Sequence, residues 1–332
     1  MADLPELIEC DVLIIGCGVA GATTALQLAE DEHLSIVIVT KADDPLESNT
    51  YHAQGGIIYR GEDDSPEQLA SDLMRAGDYM NSPTAVKILS EEGPRLVRQL
   101  LIDKYQVPFS VDEQNKLAFT REAAHSTSRI LHAEDATGKA IQEKLVEALA
   151  ARPNIRVLTR HMAVDLLTPA HHSLDRTAIY GPLSCEGAYV FDEDAKRVHT
   201  ILSKVTILAS GGLGQIFLHT TNPDLATGDG LAMAYRAGAR IINAEYVQFH
   251  PTTFFQRGRA RFLVSESLRG EGARLLNIHG EPFMHRYAPE WKDLAPRDVV
   301  ARSIHLEMLR TGAPHVYLNE PSGSLAAQAL YH

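Results

Sequence analysis

Three sets of residues in this sequence have types and spacing suited to chemistry. "GCGVAG" fits GxGxxG at Gly16, Gly18 and Gly21, directly after the apolar run "DVLIIG". In that pattern the first glycine makes a tight turn, the second lets a pyrophosphate approach, and the third lets helix and strand pack. The helix opening at Val19 then offers N–H groups and a positive dipole end to a phosphate. "SNTYHAQGG" sets His52 close to Gly55 and Gly56, where a backbone without Cβ atoms can approach a cofactor. On residue type alone His52 is open to being a ligand, a base, a covalent tether for a flavin, or an ordinary loop residue.

The third set is charged and lies later. "SESLRG" puts Glu266 and Arg269 at i, i+3, one face of a helix and by itself a plain ion pair. "APRDVVARSI" puts Arg297 in the first turn of a helix starting near Pro296, where the helix dipole disfavours a cation. An anionic substrate would account for it. "QFHPT" holds His250, which as a lone histidine reads as bonded to nearby backbone. Glu122 in "TREAAHSTSR" reads alone as a solvated loop charge. Asp229, between the glycines of "ATGDG", has the form of a turn residue.

The elements that must position these residues begin with strand, glycine turn, helix and strand over 11–41, the entry to a doubly wound sheet. An acidic residue that grips a ribose is expected about 20 positions past the fingerprint, and here the second strand ends at Lys41. This weakens a nicotinamide reading and suits the adenine half of a flavin. Residues 65–105 read as helical, with Ser65–Pro66 and Ser82–Pro83 as starts. A helix follows over about 138–151, then two strands in "NIRVLTRHMAVDLL", then strands in "RVHTILSKVTILASGG". From 242 the pattern turns irregular and rich in aromatics and arginine, which places a domain boundary there and gives domains 1–241 and 242–332.

Of the 332 residues 45% are hydrophobic and 22% charged, as in an ordinary globular protein. A net charge of −12 argues against nucleic acid as a partner. Cys10, Cys17 and Cys185 have no metal-site spacing and suit a reducing compartment. The remaining histidines, His171 and His172 among them, show no ligand spacing and read as surface residues, so no metal is expected. The N-terminal stretch lacks a signal-peptide pattern and no apolar run is long enough to span a bilayer, so a cytoplasmic protein without a membrane anchor is expected.

"GCGVAG", "AQGGI", "TREAAHSTSRILHAEDATG", "TNPDLATGDGLAMAYRAGA", "QFHPT", "SESLRGEGARL" and "APRDVVARSI" occur in that order. Together they resemble the succinate dehydrogenase and fumarate reductase flavoprotein family, most closely its L-aspartate oxidase branch. The resemblance implies an α/β fold, an FAD-binding Rossmann-like doubly wound domain with an inserted α+β capping domain. It also implies that the chain stops inside the capping domain, at "EPSGSLAAQALYH", without the C-terminal FAD segment and helical domain.

The implied activity is oxidation of L-aspartate to iminoaspartate with O2 or fumarate as acceptor, feeding quinolinate synthase in NAD biosynthesis. Arg297 would be the acid/base, fed by Glu266 and Arg269, while Glu122, His250 and Ser265 hold the substrate. The implied alternatives are a soluble fumarate reductase or succinate dehydrogenase flavoprotein, and an inactive flavin-binding fragment. In covalent members of the family the tethering histidine falls at Asn49, not His52. Asn49, Thr50, Tyr51, His52, Ala53, Gln54, Gly55 and Gly56 then read as a backbone cradle for a dissociable FAD. Gly16, Gly18, Val19, Gly21, Lys41 and Asp229 complete the expected cofactor set. Acid precipitation of the flavin-loaded protein is expected to release the yellow colour into the supernatant; colour kept in the pellet would contradict a non-covalent cofactor.

Overall fold

The computed structural model describes residues 7–122, 124–256, 262–270, 272–319 and 327–329. The chain end from 320 lies outside the described residues except for the strand Ala327–Ala329.

The fold is α/β. A six-stranded sheet runs in the order Ile155–Leu158, Ile36–Val39, Leu7–Ile15, Arg197–Leu208, Gly187–Asp192, His161–Leu166. The first four strands are parallel, and the last two continue it as an antiparallel meander. All four residues of Ile36–Val39 are buried, as an unbroken β-branched run in a doubly covered strand should be. Parallel neighbours need a crossover, and the helix Val19–Leu28 supplies the first one, burying Gly21, Ala22, Ala25 and Leu26. The helix Thr137–Ala150 turns Ile141, Leu145 and Leu149 inward at four-residue spacing. "RVHTILSKVTIL", expected as more than one strand, forms a single strand of 12 residues.

The described chain forms two compact units. One holds the chain up to Ala53 together with Gly138–Glu245, and contains the six-stranded sheet. The other holds Gln54–Thr137 and the chain from Tyr246 onward. The segment 54–137, which the sequence grouped with the first domain, therefore clusters with the second unit. Its helices are amphipathic, and amphipathicity does not say which core a helix joins.

The helical reading of 65–105 is met by Pro66–Ala76 and Pro83–Leu96, each capped by the expected serine hydroxyl. The second helix contains Pro94 and continues as a π-helix over Val97–Lys104. Proline removes one hydrogen bond and crowds the preceding turn, and the π-helix begins three residues after it. Further along, Leu275, Phe283, Met284, Val300, Ile304 and Leu318 form the second unit's apolar core, with the helix Arg297–Thr311 across it.

The second unit also contains a buried ionic knot. The Arg129 side chain is fully buried and its guanidinium lies 2.8 Å from both Asp64 and Asp72. Asp72 also accepts from the Ser126 backbone N–H and hydroxyl, at 2.8 and 2.7 Å. Burial would raise the Asp72 pKa, but Ser126 and Arg129 outweigh it and hold it below the usual value. Arg129→Met would strand two buried carboxylates. It is expected to cost about 3–5 kcal/mol, measured as a loss of unfolding free energy in urea; a change within experimental error would refute the role of this knot.

Candidate active site

Gly16 follows the last residue of the central strand with φ of +113°, a conformation that favours glycine. A Cβ there would sit 2.2 Å from the Ala209 carbonyl oxygen, and a Cβ on Gly21 would sit 2.0 Å from the Gly16 carbonyl. These two glycines let the helix Val19–Leu28 lie against the strand ends. The Val19 N–H donates to Thr50 Oγ1 at 3.0 Å. The next N–H groups of the first turn have no acceptor inside the helix, which suits a pyrophosphate.

A cavity of about 350 Å3 opens there, lined by Gly16, Gly18, Val19, Lys41, Asn49, Thr50 and Asp229 among others. Its size falls in the range of cofactor and ligand sites. Lys41 pairs with Asp229 and bonds Thr227 Oγ1. Burial pushes the Asp229 carboxyl up, but hydrogen bonds from Lys41 and Thr227 overcome this and keep it below its ordinary pKa. Asp229 is the first residue of the helix Asp229–Arg236, not a free turn residue. The glycine cradle and the helix N-terminus fit a dinucleotide.

His52 takes the plainest of its readings. It is largely exposed and its Nε2 lies 2.8 Å from Glu47 Oε1, a surface pair. The two glycines after it have structural duties of their own. A Cβ on Gly56 would strike Ile130 Cγ2 and the Leu131 carbonyl, both at 2.3 Å. Gly56 precedes the short strand Ile57–Ile58, which pairs with Ile130–Leu131. A Cβ on Gly55 would come within 2.9 Å of Glu122 Oε1, and the Gly56 N–H bonds the same carboxylate. The glycine pair thus forms a seat for Glu122.

Around Glu122 the second unit gathers the other charged candidates. Glu266 Oε1 accepts from Arg269 at 2.7 Å and lies 3.2 Å from Arg297 Nε. Arg269 is 3% exposed and also donates to the Asp293 carbonyl at 2.6 Å. Arg297 opens the helix Arg297–Thr311 and donates to Gln248 Oε1 at 2.9 Å. Burial raises the Glu122 pKa above the ordinary carboxylate value; Arg297 opposes the shift and Glu266 adds to it. Burial likewise pushes His250 down to about 4, against the pull of Glu266. Its imidazole is therefore neutral near pH 7. Nδ1 of His250 lies 3.3 Å from the Thr252 N–H and 3.0 Å from the Thr252 carbonyl. The first contact needs a bare Nδ1 and the second an Nδ1–H, and only the tautomer that accepts the N–H presents Nε2–H as a donor. Ser265 is half-buried, next to Glu266.

A family model described as "FAD binding domain" matches residues 11–330. The chain belongs to the FAD binding domain family. FAD is the cofactor of this family, and the glycine cradle accords with it. The chain is 42% identical over 323 residues to an L-aspartate oxidase of Acinetobacter baylyi, covering 96% of this chain and 57% of that protein. It is 42% identical to a chloroplastic L-aspartate oxidase of Nicotiana tabacum, covering 93% of this chain and 47% of that one. Among solved structures it is similar to an E. coli quinol fumarate reductase, with TM-score 0.83, 25% identity, and 95% and 54% of the two chains covered. The chain spans about half the length of these relatives.

Sequence reasoning missed several members of the site. Gln248 and the Asp293 carbonyl anchor the two arginines, and no motif announces a backbone acceptor. The Arg129–Asp72–Ser126 knot lies in the same segment as Glu122. One reading of the histidines is corrected: His199 is 4% exposed and His161 half-buried, so neither is a surface residue. They lie on strands whose pairing the sequence does not state. His171 and His172 are exposed as expected. No described helix is long and apolar enough to cross a membrane.

Gly21→Ala would press a methyl group against the Gly16 carbonyl. Relief of such overpacking costs about 1–3 kcal/mol. FAD affinity is expected to fall by about tenfold or more, read as flavin absorbance per chain after gel filtration. Unchanged retention would show that the helix start does not hold the cofactor.

Proposed function

We propose that the chain carries the cofactor- and substrate-binding core of an L-aspartate oxidase, oxidising L-aspartate to iminoaspartate. The observation that carries the reading is the charge pattern of the second unit. The Arg297 guanidinium and a neutral imidazole suit the carboxylates of a dicarboxylate, and the Glu122 carboxylate suits an ammonium group. A plain dicarboxylate such as succinate would meet repulsion from Glu122. The names of the relatives support the same substrate.

FAD, when bound, would supply the acceptor for the hydride that leaves the substrate Cα. The remaining work belongs to side chains. His250 donates through Nε2 to one substrate carboxylate, Ser265 assists it, and Glu122 holds the amino group. The amino group must lose one proton for the C=N bond to form. Arg297 takes that proton only as it passes one to Glu266, because an isolated guanidinium does not titrate near neutrality. Arg269, bonded to the same Glu266 oxygen, completes the relay. O2 or fumarate would be the final electron acceptor, with hydrogen peroxide or succinate as the product. We read the first unit as the FAD-binding domain and the second as the capping and substrate domain, in a cytoplasmic protein. A place in NAD biosynthesis, with product passed to quinolinate synthase, follows from this reading alone.

Hydrogen peroxide release with aspartate, against none with succinate, tests the substrate. A colourless chain inactive on both would refute the proposal. Glu122→Gln removes a charged partner of the ammonium, worth about 1.5–3 kcal/mol, so KM for aspartate is expected to rise roughly tenfold to a hundredfold. Only ionised Glu122 attracts the ammonium, and its pKa is raised. In the parent chain, KM should therefore climb as pH falls through a value above the normal carboxylate range, and Glu122→Gln should flatten that limb. A limb that survives in the variant would assign it to another group.

A further inference from the structure

The antiparallel meander of the first unit brings together three ligand-type residues to which the oxidase reading gives no role, although one of them, His161, also lines the cofactor cavity. His161 pairs across the ladder with Asp192, and His199 pairs with Val190. Asp192 and Val190 are two apart on one strand, so all three side chains stand on one face. Asp192 Oδ2 lies 3.3 Å from His199 Nε2 and 3.8 Å from His161 Nε2. One ligand atom from each residue lies within 4.8 Å of the other two. The two imidazole rings are nearly parallel, with 17° between their planes.

The proton arrangement makes this more than an accidental cluster. His161 Nδ1 is 2.6 Å from the Thr159 carbonyl oxygen, which has no proton to give. Nδ1 must therefore carry the hydrogen, and a neutral His161 directs its Nε2 lone pair at the Asp192 carboxylate. A backbone carbonyl that fixes the tautomer in this way is the usual outer support of a metal-bound histidine. Asp192 Oδ1 is taken by the N–H groups of Asp194 and Ala195, at 2.8 and 2.9 Å. Its Oδ2 faces both imidazoles and is hydrogen-bonded to His199 Nε2 at 3.3 Å, through a proton that a bound cation would replace. Two lone pairs pointed at each other repel, and a cation between them removes the repulsion.

We propose that His161, Asp192 and His199 form a site for a divalent transition-metal ion of the zinc class, bound by two imidazole Nε2 atoms and one carboxylate oxygen. Two nitrogens and one oxygen on a rigid sheet suit zinc or cobalt over calcium or magnesium, which prefer oxygen shells. Metal–ligand lengths near 2.1 Å imply ligand separations of about 3.4 Å in a tetrahedral site. One of the two carboxylate–imidazole separations already lies near this value, and the other closes by a few tenths of an ångström. Water would fill the fourth position. Each ligand sits on a different strand of the meander, so a bound ion would clamp all three together.

The test uses the full chain loaded with FAD and stripped of metal by chelator, titrated with Zn2+ by calorimetry and with Co2+ by visible absorption near neutral pH. One equivalent is expected to bind, with the intense visible bands of tetrahedral Co2+. His199→Gln and His161→Gln should each weaken that binding more than about a hundredfold, since even outer-shell changes cost ten- to a hundredfold. Acidification of the parent chain should release the ion reversibly as the imidazoles protonate, a readout that needs no variant to fold. Absence of a tight equivalent would overturn the proposal, as would Co2+ bands unchanged in both variants. The same holds if the cluster takes up a proton and no metal.

Discussion

The second unit is organised around a single carboxylate oxygen that serves two guanidinium groups. Arg269 is almost completely enclosed, and an enclosed cation without an anion would cost several kcal/mol. Glu266 meets that need and at the same time reaches Arg297. The other arm of Arg269 is tied to the Asp293 carbonyl, while Asp293 Oδ1 accepts from the Leu275 N–H. The short helix Ser267–Gly270, the turn at Asp293 and the strand Arg274–Leu276 are thereby fixed relative to one another. Arg297 faces an unfavourable helix dipole, offset by Glu266 and Gln248. The enclosure that makes these pairs strong also keeps His250 neutral and makes Glu122 reluctant to ionise.

Glu122 depends on supports at two places. Its carboxylate rests on Gly55 and Gly56, where any side chain at Gly55 would intrude. Its chain segment is held by Ser126, whose backbone and hydroxyl are bound to Asp72, itself neutralised by Arg129. The group we assign to ammonium recognition is thus supported by ion pairs that touch no ligand.

What was legible in the sequence was local. Gly16, Gly18 and Gly21 announce themselves because strand, turn and helix adjoin in sequence, and Ser65–Pro66 and Ser82–Pro83 mark helix starts by the same logic. Arg297 stood out as a cation at the wrong end of a helix, and the structure supplies its anion. The illegible parts depend on pairings at long range. Nothing in "RHMAVDLL" or "RVHTIL" says that His161 and His199 will flank Asp192, because that follows from the ladder register. Nor does the amphipathic pattern of 66–96 say which core it will join. The resemblance to a known family named the charged residues, but only geometry shows that Gly55 and Gly56 hold Glu122.

The order of the sheet also bears on how the protein is made. The strand Leu7–Ile15 is synthesised long before one of its two neighbours, Arg197–Leu208; the Cys10–Leu202 contact across that pair spans 192 residues. At about 5–20 residues per second, the first strand waits roughly 10–40 s for that partner. Closing so long a loop is slow, and an apolar strand meant for a doubly covered interior is prone to aggregate meanwhile. One edge of Leu7–Ile15 therefore stays unpaired until the chain has been made through Arg197–Leu208.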